Sequence, residues 1–174
     1  YNEAILKEYA LDENKKTVLV VMGSLGSMSV NEIMKDAVPK FGLKDYQVIF
    51  ATGKNHFDEV MENIAIIPEN VKVVPYINDM LSLLHASNIV VTRAGASTLA
   101  ELTAIGKPMI LIPSPYVAAN HQEYNALELV NKNAALMIKE KDLSASGLIQ
   151  TIDELMNDQA KLTVLSENAK KLGK

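Results

Sequence analysis

The stretch VVTRAGASTLAELTAIGKP, residues 90–108, changes its pattern in the middle. It begins as an apolar run typical of a buried strand, breaks at the small residues 94–96, and then continues with the apolar spacing of a helix. Such a turn between a strand and a helix is where α/β proteins bring backbone N–H groups close to a ligand. The stretch therefore predicts one strand–loop–helix unit of an α/β fold, with a candidate anion site in its loop.

The same alternation runs along the whole chain. Apolar runs typical of buried strands lie at residues 17–22, 47–51, 71–75, 89–92, 109–112 and, more weakly, 135–138. Segments with helical spacing lie at residues 30–41, 56–63, 80–86, 98–105, 121–133, 144–157 and 160–172. Strands that are apolar on both faces and alternate with helices predict an α/β fold, a doubly wound parallel sheet with helices on both faces. Ligands of such folds bind at the carboxyl ends of the strands.

Composition excludes several classes of protein. A chain of 174 residues that is 48% hydrophobic fits one ordinary domain, and we expect residues 1–16 to be a lead-in segment and residues 17–174 to be the domain. The formal net charge of −4 gives no overall basic field, so we expect no nucleic-acid partner. The absence of cysteine excludes disulfides and thiolate metal sites and favours a reducing, cytoplasmic compartment. No apolar run is long enough to span a membrane.

A second glycine-rich turn, GSLGS at residues 23–27, follows the first predicted strand. Two small-residue turns at one crevice predict a diphosphate or a similar anion, because glycines let the backbone approach the ligand closely. The pattern is neither GxGxxG nor a P-loop, which disfavours dinucleotide binding and P-loop ATP chemistry. The alternative at both turns is a capping box without a ligand, formed by Ser29 with Glu32 and by Thr98 with Glu101.

A third polar cluster begins the predicted helix after residue 120. His121 and Asn125 share a helix face, and with Gln122 they could hold the hydroxyls of a sugar. The alternative is again a capping box, formed by Asn120 and Glu123, which leaves the histidine and the glutamine as ordinary solvated residues.

The other two histidines, His56 and His85, have no partners at metal-ligand spacing, so we predict no metal site. The chain also has no GxSxG motif and no clear pairing of a nucleophile with a base.

Three segments, in this order, resemble the C-terminal half of the MurG family. They are GSLGS at residues 23–27, YINDM at 76–80, and TRAGASTLAE at 92–101 followed by GKP at 106–108 and NHQEYNA at 120–126. This family comprises bacterial N-acetylglucosaminyltransferases of peptidoglycan synthesis, which are two-domain GT-B enzymes. The resemblance covers nearly all of the chain and implies a Rossmann-like fold, a single GT-B half.

The family transfers N-acetylglucosamine (GlcNAc) from UDP-GlcNAc to lipid I, giving lipid II, with inversion at the sugar carbon. The resemblance implies that this chain is the donor-binding half, with UDP-GlcNAc as substrate and no cofactor. The lipid I acceptor site, the general base and the peripheral association with the inner face of the cell membrane would belong to an N-terminal domain that these 174 residues lack. We therefore expect an excised domain that binds the donor but does not turn over lipid I alone, with no catalytic residue of its own.

The resemblance also implies a role for individual residues. The Ile77 backbone would read the uracil edge, and Glu101 would accept hydrogen bonds from the ribose hydroxyls. The diphosphate would face Ser24, Gly95, Ala96, Ser97 and Thr98. The GlcNAc hydroxyls would face His121 and Gln122, with Asn125 nearby. The chain departs from the family pattern at Leu25, where many relatives carry glutamine, and at His121, where some do.

Three other functions remain as alternatives. The first is a self-standing UDP-sugar-binding subunit of a two-chain glycosyltransferase. The second is part of a UDP-GlcNAc epimerase, which is disfavoured because the predicted cleft has no cluster of carboxylates. The third is a Rossmann oxidoreductase, which the glycine pattern disfavours.

Overall fold

The computed structural model describes residues 1–115 and 121–173. Within these residues the strands are β1 Thr17–Val21, β2 Gln47–Ala51, β3 Val71–Val74, β4 Ile89–Thr92, β5 Met109–Leu111 and β6 Leu136–Met137. The α-helices are α1 Ile5–Glu8, α2 Met28–Lys40, α3 Phe57–Asn63, α4 Met80–Ala86, α5 Ala96–Ile105, α6 His121–Asn131, α7 Ala145–Met156 and α8 Gln159–Leu172. Short 3-10 turns lie at Phe41–Leu43 and Glu140–Asp142.

The strands form one parallel sheet in the order β3-β2-β1-β4-β5-β6. The predicted doubly wound α/β fold is therefore confirmed. After β1 the chain adds β2 and β3 on one side of this strand, and it then crosses back to add β4, β5 and β6 on the other side. The connections that leave β1 and β4 consequently run in opposite directions, and a crevice opens at the carboxyl ends of these two strands. Both predicted small-residue turns lie in this crevice.

The sheet is covered on both faces, which explains why its strands lack a polar side. Val18 and Val20 of β1 pack into one core with α2, α3 and α7, whereas Leu19 and Val21 pack into the other core with α1, α4, α5 and α6. Helix α8 contributes to both cores. Alternate residues of a strand point to opposite faces, so a strand between two cores must be apolar throughout.

Residues 1–16 contain α1, whose Ile5 and Leu6 are buried, and Leu11 is buried beyond it. All three belong to the core that also contains α4 and α5. The backbone N–H of Asn2 donates to Ser82 Oγ on α4 at 2.7 Å. This segment thus packs on the face of the sheet that faces α4.

A polar contact at the start of β2 gives a pH-dependent contribution to stability. The buried Tyr46 hydroxyl donates to Asp153 Oδ1 of α7 at 2.8 Å, and Lys44 Nζ lies 2.8 Å from the other carboxylate oxygen. Burial, reinforced by the hydrogen bond to Asp153, raises the pKa of the Tyr46 phenol above its usual value near 10.

We expect Tyr46→Phe to lower the free energy of unfolding by about 1–2 kcal/mol at neutral pH, since the half-buried Asp153 carboxylate loses a donor. Above about pH 10 the unfolded chain ionises this phenol while the folded chain keeps it neutral, so the wild type loses stability that the variant does not lose. The difference should therefore shrink as the pH rises. Urea unfolding of both proteins at about pH 7 and about pH 11 measures it. Tyr124→Phe, at an exposed position, is the control, and a difference independent of pH would contradict the assignment.

Candidate functional site

The loop after β1 packs directly on the carboxyl end of β2. Gly26 has a φ of +75°, and a Cβ placed on it would lie 2.1 Å from the carbonyl oxygen of Thr52. Gly53 has a φ of +91°, and its Cβ would lie 2.4 Å from the carbonyl oxygen of Leu25. Only glycine combines a left-handed backbone with such a close approach. The glycines therefore bring the two loops together at one wall of the crevice.

Helix α2 begins two residues earlier than predicted and is capped by Ser27. The Ser27 hydroxyl accepts from the backbone N–H of Val30 at 3.3 Å. The alternative capping box of Ser29 and Glu32 is therefore wrong, because Ser27 already accepts from the helix N-terminus and both members of that pair lie inside the helix.

Helix α5 begins at Ala96 with Gly95 as its N-cap residue, and no side chain caps it. The alternative capping box of Thr98 and Glu101 is wrong, because both residues lie within the helix. Ala96, Ser97 and Thr98 consequently form the first turn of α5. Backbone N–H groups in this turn have no carbonyl four residues earlier in the helix, so they can donate to an anion.

Two adjoining cavities occupy the crevice. The inner cavity has a volume of about 250 Å³ and mainly apolar walls. Its polar side chains include Thr92 and Glu101. The rest of its lining comprises Val21, Ala51, Gly53, Pro75, Tyr76, Ile77, Met80, Leu84 and Val90. The outer cavity, of about 720 Å³, is lined by Met22, residues 25–29, His56, Arg93, Gly95, Ser114 and Gln122. Gly23, Ser24 and Thr98 line both cavities. A narrow slot thus opens into a wider space at the N-terminus of α5, whose lining includes serine, arginine and glutamine residues.

The structure brings several of the predicted site residues together. Ile77 and Glu101 line the inner cavity, Gly95 and Gln122 line the outer cavity, and Ser24 and Thr98 lie where the cavities meet. Four others line neither cavity, namely Ala96, Ser97, His121 and Asn125. Ala96 and Asn125 border a separate groove between α5 and α6, and the side chains of Ser97 and His121 are exposed.

Two side chains predicted to face a sugar hold the loop after β4. Gln122 Oε1 accepts from the backbone N–H of Ala94 at 3.2 Å and from that of Ser114 at 2.9 Å. Asn125 Nδ2 donates to the Ala94 carbonyl at 3.1 Å. Helix α6 therefore fixes the backbone at the start of α5. The alternative capping role of Asn120 lies outside the described residues.

Arg93, the only arginine in the chain, joins four loops beneath the crevice. Its Nη1 forms an ion pair with Glu140 at 2.7 Å and donates to the Ile112 carbonyl at 3.1 Å, while Nη2 donates to Ser27 Oγ at 2.9 Å. Ser29 also donates to Glu140. The side chains of the ion pair are only 13% and 10% exposed. The loops after β1, β4, β5 and β6 thus meet at one buried charge pair.

Glu101 differs from Glu140 because no hydrogen bond or ion pair joins its side chain to any residue that the structure describes. It projects from α5 into the inner cavity and is exposed. An ionised carboxylate accepts hydrogen bonds at both oxygens, so this side chain can accept from two neighbouring hydroxyls of a ligand.

Within residues 1–115 and 121–173, no three histidine, aspartate or glutamate side chains lie close enough to hold a metal ion. None of the helices in this part of the chain is long and apolar enough to cross a membrane.

Comparison with known proteins agrees with this architecture. The family model described as glycosyltransferase family 28 C-terminal domain matches residues 17–174. The chain is 44% identical over 175 residues to the UDP-N-acetylglucosamine--N-acetylmuramyl-(pentapeptide) pyrophosphoryl-undecaprenol N-acetylglucosamine transferase of Listeria monocytogenes, covering 99% of this chain and 48% of that protein. It is 48% identical over 161 residues to such a transferase of Bacillus cereus, covering 91% of this chain and 44% of that protein.

The fold is similar to the crystal structure of Acinetobacter baumannii MurG, with a TM-score of 0.80 and 27% sequence identity. That match covers 91% of this chain and 48% of the MurG chain, so this chain spans about half the length of the relatives it matches. The predicted resemblance to the MurG family is confirmed. The chain belongs to the family of glycosyltransferase family 28 C-terminal domains.

Proposed function

We propose that this chain is the donor-binding half of an N-acetylglucosaminyltransferase and that it holds UDP-GlcNAc in the crevice. The observation that carries this proposal is the pair of joined cavities at the carboxyl ends of β1 and β4. A narrow slot with one carboxylate suits a nucleoside, and the wider space beyond it, with its serine and glutamine residues, suits a diphosphate and a sugar. The names of the relatives specify UDP-N-acetylglucosamine as the donor.

The uridine would occupy the inner cavity. The backbone of Ile77 lies beside this cavity and can pair with the uracil edge, as the resemblance to the MurG family implies. Glu101 would accept hydrogen bonds from both ribose hydroxyls. Such bonds are charge-assisted and distinguish a ribose from a deoxyribose.

The diphosphate would lie where the two cavities meet, against Ser24 and the first turn of α5. This helix begins without a side-chain cap, so backbone N–H groups and the positive end of the helix dipole are available to the ligand. When the sugar leaves, negative charge grows on the departing UDP, and donors already in position stabilise that charge. The transfer would then need no metal ion.

The acceptor belongs to the complete protein. The names of the relatives specify N-acetylmuramyl-(pentapeptide) pyrophosphoryl-undecaprenol, which is lipid I, as the acceptor. We infer that the lipid I site, the general base and the contact with the inner face of the cell membrane lie in the part of those relatives that this chain does not span. The product of the inverting transfer would be lipid II.

Glu101→Ala tests the nucleotide site. We expect the variant to bind UDP about 10- to 100-fold more weakly, because two hydrogen bonds to a charged group are lost. The melting temperature should not change, since Glu101 has no partner among the described residues. Isothermal titration with UDP and with 2′-deoxy-UDP measures the effect, and the variant should also lose the preference for the ribose.

Glu154→Ala is the matched control, because Glu154 is an exposed helical carboxylate on α7 that accepts a hydrogen bond from Gln150 of the same helix. Helix α7 ends near Lys16, which directly precedes β1, so this end of the helix lies at the amino ends of the strands and away from the crevice. Equal affinity of wild type and Glu101→Ala for UDP would overturn the assignment of Glu101.

A further inference from the structure

The side chains that line the two cavities offer little positive charge to a diphosphate. In the described part of the chain, the fully charged groups among the lining residues are Glu101 and Arg93. The guanidinium of Arg93 is already paired with the buried carboxylate of Glu140. The net contribution of these side chains is therefore negative, although a nucleoside diphosphate carries several negative charges. A further cation close to the crevice would correct this imbalance.

Lys54 has the position that such a cation requires. It follows Gly53, which lines the inner cavity, and precedes His56, which lines the outer cavity. Its ammonium lies 4.4 Å from the centroid of the Tyr76 ring, and Tyr76 is one of the residues that line the inner cavity. No carboxylate among the described residues pairs with Lys54, so its charge is not neutralised in the free protein.

We propose that Lys54 is a donor-binding residue that leaves the Tyr76 ring when the donor binds and pairs with the diphosphate. This inference rests on the proposed function, because it requires a nucleoside diphosphate in the crevice. A cation over an exposed aromatic ring is held weakly, whereas a charge-assisted bond to a phosphate oxygen is among the stronger polar contacts. Lysine suits the movement because its ammonium is a point charge on a flexible stem.

Separate titrations with UDP and with uridine distinguish a diphosphate-binding role of Lys54 from a merely structural role. Lys54→Met keeps the length of the side chain and removes its charge. Isothermal titration should show that the variant binds UDP about tenfold more weakly and binds uridine with unchanged affinity, because only UDP carries the diphosphate. Lys54→Arg should keep most of the affinity for UDP. Raising the salt concentration should reduce the difference between wild type and Lys54→Met.

Lys171→Met is the matched control, since Lys171 is an exposed lysine near the end of α8, beside the C-terminal end of α5 rather than the crevice. If wild type binds UDP and Lys54→Met binds it equally well, the role of Lys54 is overturned while the proposed function stands. An equal loss for uridine and UDP also overturns it, because Lys54 would then act through the nucleoside. If the wild type binds no UDP, the proposed function fails first.

Discussion

Gly26→Ala should lower the free energy of unfolding by about 3–5 kcal/mol, because the new methyl group adds left-handed backbone strain to a clash with the backbone of the next loop. Its Cβ would lie 2.1 Å from the Thr52 carbonyl oxygen and 2.8 Å from the carbonyl carbon. Neither atom belongs to a flexible side chain, so the loop after β1 must move away from β2. Urea unfolding measures the loss of stability.

Gly23→Ala provides the matched control within the same loop. Gly23 has a similar φ of +80°, but a Cβ there would have no neighbour within 4 Å. This variant should therefore lose only the cost of the left-handed conformation, about 1–2 kcal/mol. Equal losses in the two variants would mean that the close approach of the loops does not contribute to stability.

Arg93→Met should also cost about 3–5 kcal/mol of unfolding free energy. The substitution leaves the Glu140 carboxylate buried without its cation, and it removes donors from Ser27 Oγ and the Ile112 carbonyl. Affinity for UDP should fall as well, since the loops after β1 and β4 lose their common anchor. Thermal and urea unfolding, together with titration of UDP, measure both effects.

The double variant Arg93→Met with Glu140→Gln shows whether the charge pair accounts for the loss. We expect it to be more stable than Arg93→Met alone, because no unpaired charge remains in the interior. Lys132→Ala, which breaks the exposed pair with Glu128 on α6, should change stability by no more than about 0.5 kcal/mol. If Arg93→Met cost as little as this control, the buried pair would have no structural role.

The strands were predictable because each of them lies between two cores. The predicted runs 47–51 and 89–92 coincide with β2 and β4, since burial on both faces gives a continuous apolar signal at these positions. Strand β6 has only two residues, which are half-buried, and its signal was correspondingly weak. Helix α1 was missed because four residues carry too little periodicity to predict a helix.

The helix starts at the crevice were harder to predict. Ser27 and Ser29 are both good capping residues, and the choice between them depends on how the glycines of the loop direct the chain over β2. The partner of Arg93 was not predictable from spacing, because Glu140 lies 47 residues later in a charged segment typical of a solvated turn. The one available signal was that the chain contains a single arginine, which suggests a position where lysine would not suffice.

The two cavities differ in how freely their walls can change. Val21 and Val90 of the inner cavity are strand residues that belong to the hydrophobic core, so a substitution there alters the packing of the sheet itself. Most of the outer cavity is built from connecting segments, which tolerate variation more readily. Substitutions in the outer cavity should therefore change which sugar is bound more readily than substitutions in the inner cavity change which nucleobase is bound.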